Sequence, residues 1–174
     1  WAAQRREERE RGRRNKSSRE FIALEIDMNI KTLNDLWDEI NKDWRDNYGS
    51  TNQPTKRDWA KKFIEKPFDS FSKKAFESQY FIMTDALNSL EVIQVIQFYD
   101  RLQGIENIRE KLDRLMQLQI VEERHAIIET GSFAGSRAFK PHPRPFDEQA
   151  DGLVDECWSL ISQVLAKGNP IRKK

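Results

Sequence analysis

Cysteine is nearly absent from this chain: Cys157 is the only one among 174 residues, so no disulfide can form within it. Proteins without disulfides are typical of reducing compartments. Long hydrophobic runs are missing as well, and no stretch approaches the roughly 20 apolar residues that a membrane-spanning helix needs. The sequence therefore favours a cytoplasmic location, and we expect any spanning segment to precede Trp1.

Glycine and proline are scarce, with seven and six residues, and residues that readily form helices take their place. Charged residues make up 34% of the chain and hydrophobic residues 37%, a balance that favours narrow amphipathic helices over a broad sheet. The formal net charge is only +1, which argues against a general nucleic-acid-binding protein. The length suits one domain, and we predict a single helical domain over residues 21–168 with a basic tail at 169–174.

The spacing of the apolar residues predicts an all-α fold. In the first helix they recur every three or four residues and share one side of the helix; they are Ile22, Ile26, Ile30, Leu33, Trp37, Ile40, Trp44 and Tyr48. No segment alternates for long enough to predict a strand. We predict an antiparallel bundle of four to six helices with one long proline-containing loop.

Turn and capping residues indicate where the next helices begin and end. A short helix that carries Trp59 is expected to stop at Pro67, and a longer one begins near residue 69 or 72 and ends near residue 87. Asn88 and Glu91 have the spacing of a capping box and predict the start of the following helix. Gly104 predicts a break or kink in that helix, with an uninterrupted helix as the alternative.

The last third of the chain contains a loop and one more helix. Prolines within residues 131–146 exclude a helix there and favour a stiff, extended segment. The final helix is predicted to begin near Asp147 and to stop at Gly168, and the basic tail after it is expected to be frayed.

The net positive charge of the chain is concentrated in the first twenty residues. From Arg5 to Glu20 there are eight Lys or Arg and four Glu, a net charge of +4. A Trp followed by dense basic residues is typical of the cytoplasmic edge of a membrane. We interpret residues 1–20 as a basic juxtamembrane segment; a solvated helix extension is the main alternative, and a nucleic-acid arm is the least favoured. The predicted membrane-surface residues are Trp1, Arg5, Arg6, Arg9, Arg11, Arg13, Arg14 and Lys16.

Patterns that carry catalytic or metal chemistry are few. Glu122 and His125 have the Glu-x-x-His spacing of di-iron bundles, but such a site needs a second motif and two further glutamates, so a solvated surface is favoured. Cys157 lies on the apolar side of the last helix and is expected in the core, because nothing local would activate its thiol. We predict no catalytic residue, no metal and no cofactor.

Three further residues are candidates for an interaction surface. Trp59 lies in a short basic region, where an exposed aromatic ring would indicate binding. His142 and Arg144 lie among the prolines of the predicted loop. An extended proline segment can dock into an aromatic groove, or it can simply connect two helices.

Two segments carry a resemblance to known proteins. An Arg/Glu-rich stretch followed by residues 21–30 (FIALEIDMNI), and later residues 95–102 (VIQFYDRL), resemble small bacterial single-span membrane proteins of uncharacterised function. The resemblance implies a cytoplasmic helical domain tethered to the bacterial inner membrane. It supplies no catalytic residues.

These observations lead to one functional hypothesis and two alternatives. The hypothesis is a non-enzymatic cytoplasmic helical module of a membrane-anchored protein, which acts by binding a protein or by self-association, including coiled-coil packing. Its partners would be an unidentified protein or a second copy, together with an anionic membrane surface; nucleic acid is disfavoured. The alternatives are a soluble oligomeric helical scaffold with Trp37 and Trp44 at its interface, and a metal-dependent bundle enzyme that uses Glu122 and His125.

Overall fold

The structure is a computed structural model that describes residues 1–46, 55–66, 71–130 and 145–172, without the side chains of residues 43–45, 122, 123, 125–130 and 145–148. These ranges contain five helices, which are α1 (Ala2–Asp46), α2 (Lys56–Glu65), α3 (Lys74–Ala86), α4 (Ser89–Thr130) and α5 (Pro145–Lys167). None of the described residues lies in a strand, so the prediction of an all-α chain is confirmed. The predicted proline loop lies outside the described residues up to residue 144.

The described residues group into two compact units, and α1, α4 and α5 each contribute to both. The first unit comprises Trp1–Trp37, Phe68–Gln103 and Leu160–Lys174, and the second comprises Asp38–Pro67 and Gly104–Ser159. Buried side chains of the first unit include Ile22, Ile26, Leu33, Met83, Val95, Leu102 and Ile161. Those of the second include Ile40, Trp59, Phe63, Ile105, Ile108, Leu112 and Val154. The single domain predicted over residues 21–168 stays a prediction.

Helix α1 extends further towards the N-terminus than the apolar spacing alone requires. The basic segment is helical from Ala2 and continues without interruption into the predicted first helix. Its residues up to Ser17 are almost all exposed, whereas the buried positions begin at Ser18 and Ile22. Ordinary helix formers and i, i+4 pairs of Glu and Arg support a helix in this exposed part.

The predicted capping box at the start of α4 is confirmed. The backbone N–H of Glu91 donates to Asn88 Oδ1 at 2.9 Å, and the backbone N–H of Asn88 donates to Glu91 Oε2 at 3.0 Å. This reciprocal pair satisfies amide groups that have no partner within the helix. It also sets the sharp boundary between α3 and α4.

The favoured break at Gly104 is wrong, because α4 runs unbroken from Ser89 to Thr130. Leu102 and Ile105 are fully buried on either side of the glycine, and Ile108 is buried one turn later. Burial of these side chains outweighs the cost of about 1 kcal/mol that a glycine imposes on a helix interior.

Helix α5 ends where the sequence predicts, at a glycine in the left-handed conformation. Gly168 has φ of +61°, the only positive value among the described residues, and its N–H donates to the carbonyl of Val164 at 3.1 Å. A residue with a Cβ rarely adopts this φ, whereas glycine adopts it readily. The chain can therefore turn abruptly after α5.

Residues 169–172 differ from the frayed tail that the sequence suggested, because they are held on α1. The side-chain amide of Asn169 donates to the Ala23 carbonyl and to Asp27 Oδ1, both at 2.8 Å. Ile171 is buried, and Arg172 Nε donates to Asp27 Oδ2 at 2.6 Å. The buried side chain of Ile171 and the two hydrogen bonds of Asn169 therefore anchor a segment whose basic composition suggested exposure to solvent. Lys173 and Lys174 lie outside the described residues.

Two glycine substitutions are expected to change stability in opposite directions. Gly168→Ala should lower the free energy of unfolding by about 1–2 kcal/mol, because alanine disfavours the left-handed conformation. Gly152→Ala should raise it by about 0.5–1 kcal/mol, because Gly152 lies inside α5 and a Cβ there meets no heavy atom within 4 Å. Urea unfolding followed by circular dichroism measures both. A destabilised Gly152→Ala or a neutral Gly168→Ala would contradict the assigned backbone conformations.

Candidate functional site

The buried carboxylate of Glu25 on α1 accepts four hydrogen bonds within the first unit. Its Oε2 accepts hydrogen bonds from Ser72 Oγ at 2.8 Å and from the backbone N–H of Ala75 at 2.7 Å. Its Oε1 accepts from the backbone N–H of Phe76 at 3.1 Å and from the Tyr99 hydroxyl at 2.5 Å. One side chain therefore ties α1 to the start of α3 and to α4.

The carboxylate serves α3 as a cap that the helix's own sequence does not provide. Lys73, at the N-cap position, makes no capping hydrogen bond with its side chain. Glu25 accepts from the second and third N–H groups of α3 instead, and its negative charge is favourable at the positive end of the helix dipole. Asn29, one turn along α1, adds a two-way pair with the Ser72 backbone: Nδ2 to the carbonyl at 2.8 Å, and N–H to Oδ1 at 2.9 Å.

The protonation state of the Glu25 carboxylate fits a structural role. Burial on its own raises the pKa of Glu25, but the hydrogen bonds from Tyr99, Ala75, Ser72 and Phe76 outweigh it, and the pKa is lowered. Burial and the neighbouring carboxylate raise the pKa of Tyr99. At neutral pH the carboxylate is therefore charged and the phenol is protonated, an arrangement that holds helices together and is poorly suited to accepting or releasing a proton.

Glu25 was not among the predicted site residues, although the sequence contains a signal for it. Glu25 and Asn29 interrupt the apolar side of α1, between Ile22 and Ile26 and before Leu33. Charged residues are rarely buried unless they are paired. A glutamate and an asparagine on a core-facing side therefore indicate buried polar partners, even though spacing alone cannot say which partners they are.

A second set of polar contacts joins Arg19 of α1 to the capping box of α4. Arg19 Nη1 and Nη2 donate to the two carboxylate oxygens of Glu91 at 2.8 and 2.6 Å, and Nη2 also donates to the Ile171 carbonyl at 3.2 Å. The hydrogen bond from Arg19 is the largest cause of the lowered pKa of Glu91. This fork-to-fork pair fixes the orientation of its two side chains.

The predicted membrane-surface residues all lie on α1 or at its start, but they do not share one environment. Arg11 Nη2 donates to Asp85 Oδ2 at 2.7 Å, and the Arg5 guanidinium lies 4.8 Å from the centre of the Trp1 ring. All eight residues are exposed. The guanidinium of Arg11 is therefore already paired with a carboxylate of its own unit.

Trp59 does not provide the exposed aromatic ring that would indicate binding. Its side chain is fully buried, stacked on Phe63 with 5.0 Å between ring centres and edge-on to Trp158 at 5.7 Å. Its indole Nε1 donates to Asn41 Oδ1 at 3.2 Å. The local basic composition misleads because two partners of Trp59, Asn41 and Trp158, come from α1 and α5. His142 and Arg144 lie outside the described residues.

The remaining candidate residues have different outcomes. Cys157 is fully buried, as expected, and burial, followed by the charge of Glu156, raises the pKa of its thiol to about 12. Glu122 and His125 belong to α4, but their side chains lie outside the described part of the chain. Among the residues whose side chains are described, no three potential metal ligands cluster together. Trp37 is half-buried, and the side chain of Trp44 is not among those described.

A stripe of apolar side chains on α1 is exposed rather than buried. Phe21, Leu24 and Met28 are 57%, 50% and 65% exposed and lie at i, i+3 and i+7. They lie on a different side of the helix from the buried Ile22, Ile26 and Leu33. We call this set the apolar stripe; it is the described feature of α1 that most resembles an interface.

No protein-family model, curated protein or solved structure matches the chain. Within the described ranges, every helix is too short or too polar to cross a lipid bilayer.

Proposed function

We propose that this chain is a non-enzymatic helical module at the cytoplasmic side of a membrane, which acts by self-association or by binding a protein partner. The proposal includes an antiparallel bundle of four to six helices with one proline-containing loop. The apolar stripe on α1 is the single observation that carries it. Isolated exposed apolar residues are ordinary, but three in line on one helix form a continuous surface that a second helix can cover.

A second copy of the chain fits this stripe well. In an antiparallel pair of α1 helices centred on Leu24, Phe21 of each copy lies within one residue of the level of Met28 of the other, since the two residues are three and four positions from Leu24. A contact between an aromatic ring and sulfur is favourable there. The same pairing places Arg13 opposite Asp35, since the two residues lie at equal distances along the helix on either side of Leu24. Both are exposed. A two-fold dimer needs such a self-complementary surface.

Leu24→Glu is expected to abolish this dimer. Burial of one leucine side chain is worth about 1.5–3 kcal/mol, and a symmetric dimer loses two, so its Kd should rise at least about 100-fold. Sedimentation velocity over a range of concentrations measures the change. Leu118→Glu is the matched control, because Leu118 lies on α4 in the other unit and is 60% exposed.

The orientation of the pair has its own check. Arg13→Asp should weaken the dimer by placing two acidic residues opposite each other, and adding Asp35→Arg should restore it. A wild-type protein that stays monomeric, or a Leu24→Glu variant with unchanged association, would refute self-association through the apolar stripe. A dimer that ignores membranes would instead correspond to the soluble oligomeric scaffold, the second candidate.

A further inference from the structure

Helix geometry sorts the basic residues of the N-terminal segment onto different sides of α1. Because an α-helix has 3.6 residues per turn, five of them fall on one side. We call this set the basic stripe; it comprises Arg5, Arg6, Arg9, Arg13 and Lys16. Arg11 and Arg14 project from the other side of the same turns.

Contacts within the first unit show which side faces outwards. Arg11 and Asn15 both contact Asp85, through its carboxylate at 2.7 Å and its carbonyl at 3.0 Å. One turn further, Ser18 Oγ donates to Gln79 Oε1 at 2.6 Å. These residues define the side of α1 that meets α3, and the basic stripe lies away from it. All five of its residues are exposed.

The basic stripe has no acidic residue within it, but two glutamates lie at its edges. Glu8 is i+3 from Arg5 and Glu10 is i+4 from Arg6, whereas Glu7 lies on another side of the helix. The next acidic residue on this side is Glu20, whose carboxylate lies 3.5 Å from Arg172. Five basic residues against two glutamates at the edges leave an excess of positive charge on this side of α1, and a surface with closely spaced negative charges balances it.

We propose that the basic stripe docks α1 along an anionic lipid surface. The stripe is straight and about 16 Å long, since it spans eleven steps of about 1.5 Å. It therefore suits a flat array of headgroups. Nucleic acid is the weaker alternative, because the stripe has no aromatic residues between its basic ones on which bases could stack. The inference rests on the membrane location proposed above, but it does not need the dimer.

The test compares two double variants with equal charge. Arg6→Gln/Arg9→Gln removes two residues of the basic stripe, and Arg11→Gln/Arg14→Gln removes two arginines at the same spacing on the other side. Neither pair includes Arg13, the residue of the basic stripe that the proposed dimer contact also uses. Binding is measured with vesicles of phosphatidylserine and phosphatidylcholine, at an ionic strength of about 0.1 M where the screening length is about 10 Å.

Each basic residue close to an anionic membrane raises the partition coefficient about fivefold, so the stripe variant should bind about 25-fold more weakly than wild type. The control variant should lose no more than about threefold, because its arginines lie a helix diameter further from the lipid. Vesicles of pure phosphatidylcholine should not bind the wild type.

Failure of the wild type to bind anionic vesicles, or equal losses in both variants, would overturn the proposal, as would a selective loss of duplex DNA binding with vesicle binding intact. Both double variants keep Phe21, Leu24, Met28 and Arg13, so sedimentation velocity tests the dimer separately from vesicle binding.

Discussion

Replacing Glu25 with alanine is expected to lower the free energy of unfolding by about 3–5 kcal/mol. The substitution removes the shared acceptor of the Ala75 and Phe76 amides, the Ser72 hydroxyl and the Tyr99 hydroxyl. A buried donor left without a partner costs about 1–3 kcal/mol, and water entering the site can satisfy only some of these groups. Urea unfolding at neutral pH measures the loss.

Two further variants are compared with Glu25→Ala: a control at another glutamate, and a variant that removes only the charge of Glu25. Glu20→Ala on the same helix is the control, and a change below about 1 kcal/mol is expected because its ion pair with Arg172 is exposed. Glu25→Gln keeps an acceptor oxygen but loses the charge. A loss below about 1 kcal/mol in Glu25→Ala would show that the carboxylate is not the cap of α3.

The same group makes stability depend on pH in a known direction. Because folding lowers the pKa of Glu25, its stabilising contribution is complete above the ordinary glutamate pKa of about 4.3 and is lost as the pH falls through the lowered value. The wild type should therefore lose more stability than Glu25→Gln between neutral and acidic pH. The lowered pKa values of Asp58 and Glu91 leave part of the acid dependence in both proteins.

The second large effect is expected in the other unit, from Trp59→Ala. The substitution empties a fully buried site and removes the ring contacts with Phe63 and Trp158 and the hydrogen bond to Asn41. Large-to-small changes of buried aromatic residues cost about 3–5 kcal/mol. Urea unfolding should show a loss of that size.

Two controls test whether packing is the reason. Trp59→Phe keeps an aromatic ring in the site and should cost clearly less than alanine. Phe81→Ala removes an aromatic side chain that is 92% exposed and should change stability by no more than about 0.5 kcal/mol. If Trp59→Ala were as mild as Phe81→Ala, the burial of Trp59 would be refuted.

Local patterns predicted the helices well because the signals that define them are local. The capping box of Asn88 and Glu91 and the stop at Gly168 are encoded within a few residues, and both are confirmed. An unbroken α4 through Gly104 was only the alternative prediction, because the local sequence does not say how fully Leu102 and Ile105 are buried. Propensity therefore located the helices but could not decide a case in which tertiary packing opposes it.

The candidate site was harder to predict, since its contacts join distant segments. Glu25 finds its partners some 47 to 74 residues later in the chain. The burial of Trp59 was left open because the residues that cover it include Trp158 on the last helix. Similarly, the composition of the N-terminal segment gives its charge, but only the contacts of Arg11 and Asn15 with Asp85 reveal which basic residues point outwards.

The enclosed sulfur of Cys157 gives the second unit a built-in reporter. It is the only thiol in the chain, it is fully buried, and its pKa of about 12 keeps it protonated at neutral pH. Alkylating reagents attack the thiolate and need access to it. A maleimide can therefore react only with molecules in which α5 has transiently separated from its neighbours. The labelling rate measures how often this local opening occurs.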